Sequence, residues 1–309
     1  MALRIGTSGW NYPVGKGTWN GIFYPLPDDR QRGFDELAFY AERFNVVEVN
    51  STFYGQPRAN VSLGWARRTP AGFEFTVKLY QKFTHPGMTS DRGPISATDI
   101  DAFKGGVDPL AAAGKLGPIL AQFPSSFHHT PEAVAYLDWL LRTFANYSIA
   151  VELRHASWSD AAAETRAVLG AGNAAWVQID EPKFASSIRQ DLAAEATPSL
   201  GLPAHDLFYL RLHGRNAGTW WDHEQAEDRY NYYYSVTELE PIAAKAKLAG
   251  QAKKAYLLLN NHFSAQAVAN ATTLKKMLDE PVTAPMPAEL VERFPDLAGV
   301  ATLPRARLL

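Results

Sequence analysis

Carboxylates and cations alternate with apolar residues at several points along this chain, and that alternation is where its chemistry starts. Glu48 and Asn50 interleave with Val47 and Val49; Glu74, Thr76 and Lys78 with Phe75 and Val77; Glu152 and Arg154 with Val151 and Leu153; Arg211 and His213 with Leu210 and Leu212. A period of two puts one set on each face of a strand, so the polar set can converge if the strands do. Glu48 and Glu152 are then the candidate general acid and base, and His213 the candidate proton shuttle, because a free imidazole titrates nearest neutrality. Lys78, Arg154 and Arg211, joined by Arg215, suit a phosphate or carboxylate. Gln122 stands alone in an apolar strand, and Asn261 belongs to Asn260-Asn261-His262 at the end of another. Tyr230 and Trp10 add flat rings able to stack on sugars or bases.

Two competing readings use the same residues. Internal ion pairs, Lys78 with Glu152 or Arg154 with Glu48, would only plug the interior, because an unpaired buried charge costs several kcal/mol. A divalent metal would draw on His85, His155, His213, His262, Glu48, Glu152 and Asp180, all near strand ends. Lys78, Arg154 and Arg211 on the same strands repel such an ion, and no His-Glu-x-x-His spacing is present. The expectation is therefore no metal and no cofactor, with a divalent metal as the alternative. Ser8 and Ser51 follow strands but lie outside any Gly-x-Ser-x-Gly elbow.

The elements that must position these groups recur evenly. Strand-like segments fall at 3–8, 46–53, 73–79, 118–123, 148–155, 174–180, 207–214 and 255–261. Helix-like stretches separate them at 34–44, 59–69, 100–115, 131–144, 160–169, 187–196, 236–249 and 265–278. Without a Pro, Gly or Ser-rich linker, this alternation predicts an α/β fold, one closed (β/α)8 TIM barrel of a single domain over residues 1–280. A Pro-rich tail, 281–309, is expected to pack on it. A doubly wound sheet is the runner-up, weakened because Gly6-Thr7-Ser8-Gly9 lacks dinucleotide-loop spacing. Long loops at 10–32, 80–98, 181–203 and 215–231 all follow strand C-termini, the face where barrel sites form.

Composition narrows the partners. Of 309 residues 46% are hydrophobic and 20% charged, as in folded globular chains. Thirty Lys and Arg against 32 Asp and Glu leave a net charge of −2, so no global field draws the chain to nucleic acid or an anionic membrane. The absence of cysteine excludes disulfides, thiolate metal sites and cysteine nucleophiles. Lys115, Glu152, Arg166 and Arg211 interrupt every long apolar stretch, and Met1-Ala2-Leu3-Arg4 leads directly into a strand. These features predict a cytoplasmic protein with a small anionic partner, phosphate or sugar, and no membrane association.

Several strings together resemble a known family. Gly6-Thr7-Ser8-Gly9-Trp10, Val47-Glu48-Val49-Asn50-Ser51-Thr52-Phe53-Tyr54, Phe75-Thr76-Val77-Lys78 with Thr84-His85, Gln122-Phe123-Pro124, Val151-Glu152-Leu153-Arg154-His155 with Trp158, His213-Gly214-Arg215, Arg229-Tyr230-x-Tyr232 and Asn260-Asn261-His262 with Asn270-Ala271 are similar to the YecE-like family, domain of unknown function family 72. The resemblance runs from about Leu3 to Leu278, departing at Leu258-Leu259, where an aromatic is usual. It implies a (β/α)8 barrel and no particular reaction; likenesses of family members to sugar isomerases and to abasic-site endonucleases are analogies of fold. The leading expectation is an enzyme working by acid–base chemistry on a small anionic or sugar-derived substrate, in the manner of a sugar isomerase. The alternatives are a phosphodiester or nucleic-acid-acting enzyme, with Trp220 or Tyr230 on an unstacked base, and a non-catalytic ligand-binding module.

Overall fold

A computed structural model describes residues 2–88, 93–190, 207–220, 226–248 and 253–302. The apolar face of each alternating segment needs a cover, and β/α units supply it by wrapping helices around a parallel sheet. The strands are β1 (Ala2–Ser8), β2 (Val46–Val49), β3 (Glu74–Lys78), β4 (Leu116–Gln122), β5 (Ile149–Glu152), β6 (Ala174–Trp176), β7 (Gln178–Asp180), β8 (Leu207–Leu212) and β9 (Lys254–Leu259). All pair in parallel, in the order β6-β5-β4-β3-β2-β1-β9-β8-β7. β6 and β7 are two halves of one strand divided at Val177, whose N–H still donates to the Val151 carbonyl at 2.9 Å. The first half pairs with β5 and the second with β8, which closes the barrel at the eight expected strand positions.

Helices α1 (Glu36–Ala41), α2 (Ser51–Tyr54), α3 (Ala59–Arg67), α4 (Ala97–Ala112), α5 (Pro131–Thr143), α6 (Ala156–Asp160), α7 (Ala162–Ala171), α8 (Val236–Leu248), α9 (Gln266–Met277) and α10 (Ala288–Arg293) form the outer layer and the connections. Their starts carry legible caps. Thr130 accepts from the Ala133 N–H ahead of Pro131, and Ser96 with Asp99 forms a reciprocal capping box. Two expectations change. The segment 46–53 leaves strand conformation at Asn50 and winds into the single turn of α2. The helix expected at 187–196 is not formed over 187–190, where Ile188 donates to the Arg154 carbonyl at 2.8 Å; 191–196 lies outside the described residues, as do parts of the loops at 80–98, 181–203 and 215–231.

Register fixes which side chains face inward, since partners level across a parallel ladder share a face. Glu48 is level with Ser8 and Thr76, and Glu152 with Gln122, which sets the interior polar row as the alternation predicts. The sixth strand departs from expectation. Arg211 is level with Ile179, and Leu210 and Leu212 with Gln178 and Asp180, so Asp180 turns to the helix layer and the interior parity passes to Ile179 and then Glu181. Alternation alone sets Gln178 and Asp180 inward with the other polar rows, and misassigns this strand because its polar face is the outer one, where Asp180 meets Arg215.

Where β1 and β2 diverge, side chains complete the ladder. The Tyr40 hydroxyl accepts from Thr7 N at 2.8 Å and donates to the Val46 carbonyl at 3.0 Å, while Asn45 bridges Ile5 N and the Leu3 carbonyl. Gly6 permits this approach, since a Cβ there would meet the Val46 oxygen at 2.1 Å. At the far end of the chain, Arg43 donates to the Pro285 carbonyl at 2.9 Å and Phe294 stacks on Tyr233 at 4.9 Å. No helix among the described residues is long and apolar enough to cross a membrane. Tyr40→Phe strands two buried backbone groups and is expected to lower stability by about 1–3 kcal/mol in chemical denaturation without disturbing the barrel's circular dichroism.

Candidate active site at the C-terminal mouth

The interior of the barrel is organised around one guanidinium. Arg211, on β8, is 1% exposed. Its Nε and Nη2 donate to Glu48 Oε2 and Oε1 of β2 at 2.9 and 2.6 Å, and its Nη1 donates to Glu152 Oε2 of β5 at 2.6 Å. Tyr209, two residues earlier on β8, donates to Glu48 Oε2 at 2.9 Å and lies 3.0 Å from Thr76 Oγ1. Glu48 is thus fully engaged, and only Glu152 Oε1 faces onward to the mouth. The guanidiniums of Arg211 and Arg154, together with His213, hold the Glu152 carboxyl well below the usual carboxylate range despite the opposing effect of its burial.

Above this plug lies a second tier. Arg154 approaches Glu152 Oε1 with its Nε at 3.0 Å, but the angle forms no hydrogen bond, and both atoms are without one. Its Nη2 pairs with Glu181 Oε2 at 3.0 Å. His213 Nδ1 is met by Asn260 Nδ2 at 3.0 Å, and its Nε2 faces Glu152 Oε1 at 3.5 Å, Arg211 at 3.4 Å and Arg154 at 3.5 Å. Burial, with those two guanidiniums, lowers the imidazole to about 3 against the pull of Glu152, so it is neutral across physiological pH. The expected proton shuttle therefore does not titrate near neutrality.

Lys78 does. Its ammonium has no hydrogen-bond or ion-pair partner among the described residues and rests over the Phe53 ring, 4.0 Å from the centroid. Burial first, then Arg211 and Arg154, push it down to about 7 against the opposing pull of Glu152 and Glu48. Burial also raises the Glu181 carboxyl. His85, edge-on to Phe53 at 5.0 Å, is lowered to about 4 by burial and by Lys78.

An aromatic and basic rim closes the mouth. The guanidiniums of Arg154 and Arg229 both lie over the Trp220 ring, at 5.8 and 5.5 Å from its centroid. Tyr230 lies 6.4 Å from Trp220 and 5.0 Å from His262, which Tyr12 stacks at 4.3 Å. Ser8 Oγ, Asn50 Oδ1 and Arg229 Nε are buried without a hydrogen-bond partner.

Of the residues singled out from sequence, Glu48, Glu152, Arg154, Arg211 and His213 form one cluster, with Lys78 beside it. Gln122 is on the interior parity level with Glu152, and Asn50 precedes α2 at the rim without a side-chain capping bond. Three others are engaged elsewhere. Arg215 pairs with Asp180 at 2.8 Å and with Glu238 at 3.3 Å. Asn261 turns to the helix layer and donates to Asn270 and the Tyr232 carbonyl, both at 2.8 Å. Trp10 packs edge-on against Trp65 of α3 at 5.7 Å. Asn260, Glu181, Phe53 and Arg229 were missed as site residues. For Asn260 a signal existed, since strict alternation from Tyr256 and Leu258 selects it over Asn261.

No three His, Asp or Glu side chains among the described residues gather as a metal site would require. The other end of the barrel holds a cavity of about 360 Å³ lined in part by Gly117, Asn173, Lys254 and Tyr256. There Glu74 already accepts from Arg4 at 2.9 Å, Lys254 at 3.0 Å and Tyr256.

Fold and site together define a single-domain parallel β/α barrel with an ionic plug beneath a polar mouth. The chain belongs to the family described as protein of unknown function DUF72, whose description matches residues 4–291. It is 27% identical to the UPF0759 protein YunF of Bacillus subtilis over 286 residues, covering 90% of this chain and 95% of that protein. A shorter match, 32% over 127 residues, covering 40% of this chain and 43% of the other, links it to the UPF0759 protein YecE of Escherichia coli. The crystal structure of a DUF72 family protein from Thermotoga maritima superposes with a TM-score of 0.72 at 32% identity, covering 91% of this chain and 100% of that one. One from Enterococcus faecalis gives 0.74 at 24%, covering 90% and 96%, and supports the fold alone.

Arg211→Met would leave two buried carboxylates without their cation and is expected to destabilise the fold by about 3–5 kcal/mol. Adding Glu48→Gln and Glu152→Gln should recover part of that loss, both measured by chemical denaturation.

Proposed function

We propose that the C-terminal mouth is the active site of an enzyme that performs acid–base chemistry on a small anionic or sugar-derived substrate. The observation that carries this reading is that Ser8 Oγ and Asn50 Oδ1, at the ends of β1 and β2, and Arg229 Nε, in the loop after β8, are buried without a hydrogen-bond partner, while Glu152 Oε1 and Arg154 Nε face each other at 3.0 Å without forming one. Buried polar groups are nearly always satisfied, so these atoms are available to a ligand or ordered water. A plug alone would need none of these atoms, since Arg211, Glu48 and Glu152 Oε2 satisfy one another.

Roles follow from charge and protonation. Arg154 and Arg229 suit the anionic group of a substrate, with the Trp220 ring against both as a wall. Lys78, titrating close to neutrality, is the group best placed to exchange a proton, with Glu181 as a carboxyl of raised pKa across the mouth. The nucleic-acid reading is weaker, because the net charge is −2 and the cations Lys78, Arg154 and Arg229 are packed against Phe53 and Trp220.

Thermal shift against inorganic phosphate, sugar phosphates, the parent sugars and a short oligonucleotide tests the proposal. A ligand at 100 times its dissociation constant adds about 2.7 kcal/mol, a shift of several degrees. The expected result is stabilisation by phosphate or a sugar phosphate, reduced at least about tenfold in affinity by Arg229→Gln, as loss of one charge-assisted contact implies. Stabilisation by the oligonucleotide alone, falling steeply with salt, would overturn it in favour of a phosphodiester enzyme; tight binding with no turnover in any product assay would leave a binding module.

A further inference from the structure

We propose that Lys78 is a nucleophile, and that the substrate is an aldehyde or ketone bearing an anionic group, held as an imine on the Lys78 side chain. The inference rests on the reading of the mouth as a binding site and deepens it by naming the reactive group of the ligand.

The geometry argues against an ordinary structural lysine. Buried or half-buried lysines are normally kept by an acceptor, as Lys115 is by the Ala66 and Thr69 carbonyls at 2.7 and 2.6 Å and Lys82 by Asp99 at 2.9 Å. Lys78 has no such acceptor among the described residues. The two carboxylates nearest in charge are already committed, Glu48 to Arg211 and Tyr209, and Glu152 Oε2 to Arg211. The Phe53 face, 4.0 Å from the nitrogen, offers the charged form a cation–π contact but no acceptor for its N–H groups.

The surroundings favour the free base. The charged or titratable groups acting on Lys78 are Arg211 from β8, Arg154 and Glu152 from the end of β5, Glu48 from β2 and His85 from its own loop. Desolvation is the largest effect disfavouring the ammonium, and Arg211 and Arg154 add to it. Glu152 and Glu48, both facing guanidiniums, oppose it only in part, and this balance is the condition that activates amine nucleophiles.

The step balances without a redox partner. The neutral Lys78 amine attacks the carbonyl carbon, forming a C–N bond while the carbonyl π pair moves to oxygen, and one proton passes from the now cationic nitrogen to that oxygen to give the neutral carbinolamine. A second, external proton on the hydroxyl lets it leave as water as the nitrogen lone pair forms the C=N bond, giving a protonated imine with one proton consumed overall. Glu181, a carboxyl of raised pKa paired to Arg154, is the candidate donor for that departure, and Glu152 Oε1, free of any hydrogen bond, is the candidate acceptor for a proton removed next to the imine carbon. Arg154 and Arg229 remain for the substrate's anionic group.

The test is reductive trapping. The full chain is incubated with glycolaldehyde or glyceraldehyde 3-phosphate, reduced with borohydride, digested and mapped by mass spectrometry. The expected result is an adduct on the peptide carrying Lys78 at more than about tenfold over any other lysine, because an ordinary lysine is almost wholly protonated at neutral pH. Labelling should rise through pH of about 7 and disappear in Lys78→Arg. A thermal shift with inorganic phosphate is read on the same preparations. Adducts spread over surface lysines, or none, with the phosphate shift intact would overturn the imine while leaving the anion site standing. Loss of both signals in correctly folded wild-type protein would overturn the site reading as well.

Discussion

Three strands meet on the Arg211 guanidinium, and most of what the mouth can do follows from that constraint. A barrel interior has no room for an unpaired charge, and an arginine fork satisfies carboxylates only from fixed directions. Two of its nitrogens take Glu48 and the third takes Glu152, so β2, β5 and β8 are held at one level by the same group. Tyr209 and Thr76 extend the contact to β3. The arrangement consumes nearly all the acidic capacity of the interior and leaves a single oxygen, Glu152 Oε1, directed at the tier above.

Depth sets the protonation states above this plug. Burial, with Arg211 and Arg154 adding to it, lowers both Lys78 and His213 against the pull of Glu152 on each and of Glu48 on Lys78. Histidine, usually the residue that titrates at physiological pH, is pushed out of range and becomes a neutral wall, and lysine moves into range in its place. The exchange of roles depends on depth within the barrel: the same residues on an exposed sheet would keep their ordinary values.

The sequence carried much of this, and its limits are physical. Period-two alternation in β2, β3, β5 and β8 identified the interior row correctly, because in those strands one face is apolar and the other polar. It failed in the sixth strand, where Ile179 faces inward with Arg211 while Asp180 faces out to hold Arg215 and Tyr234. That strand too has one apolar and one polar face, but its polar face is turned outward to partners of its own, and only the register against β8 reveals it. Pairing partners were equally out of reach. Arg154 with Glu48 is plausible by charge, yet the strand stagger gives Glu48 to Arg211 and leaves Arg154 for Glu152 and Glu181. Glu181, one residue beyond β7, was hidden as the first residue of a loop.

The most direct measurement is a carbon-13 NMR titration of the lysine Cε resonances, with Lys78 assigned by its absence in Lys78→Arg. Burial of the amine, with Arg211 and Arg154 set against Glu48 and Glu152, predicts a Lys78 midpoint of about 7, well below an exposed lysine near 10.4. A midpoint for Lys78 in the ordinary lysine range would contradict the account, since it would mean that the amine is solvated or that the carboxylates outweigh its burial.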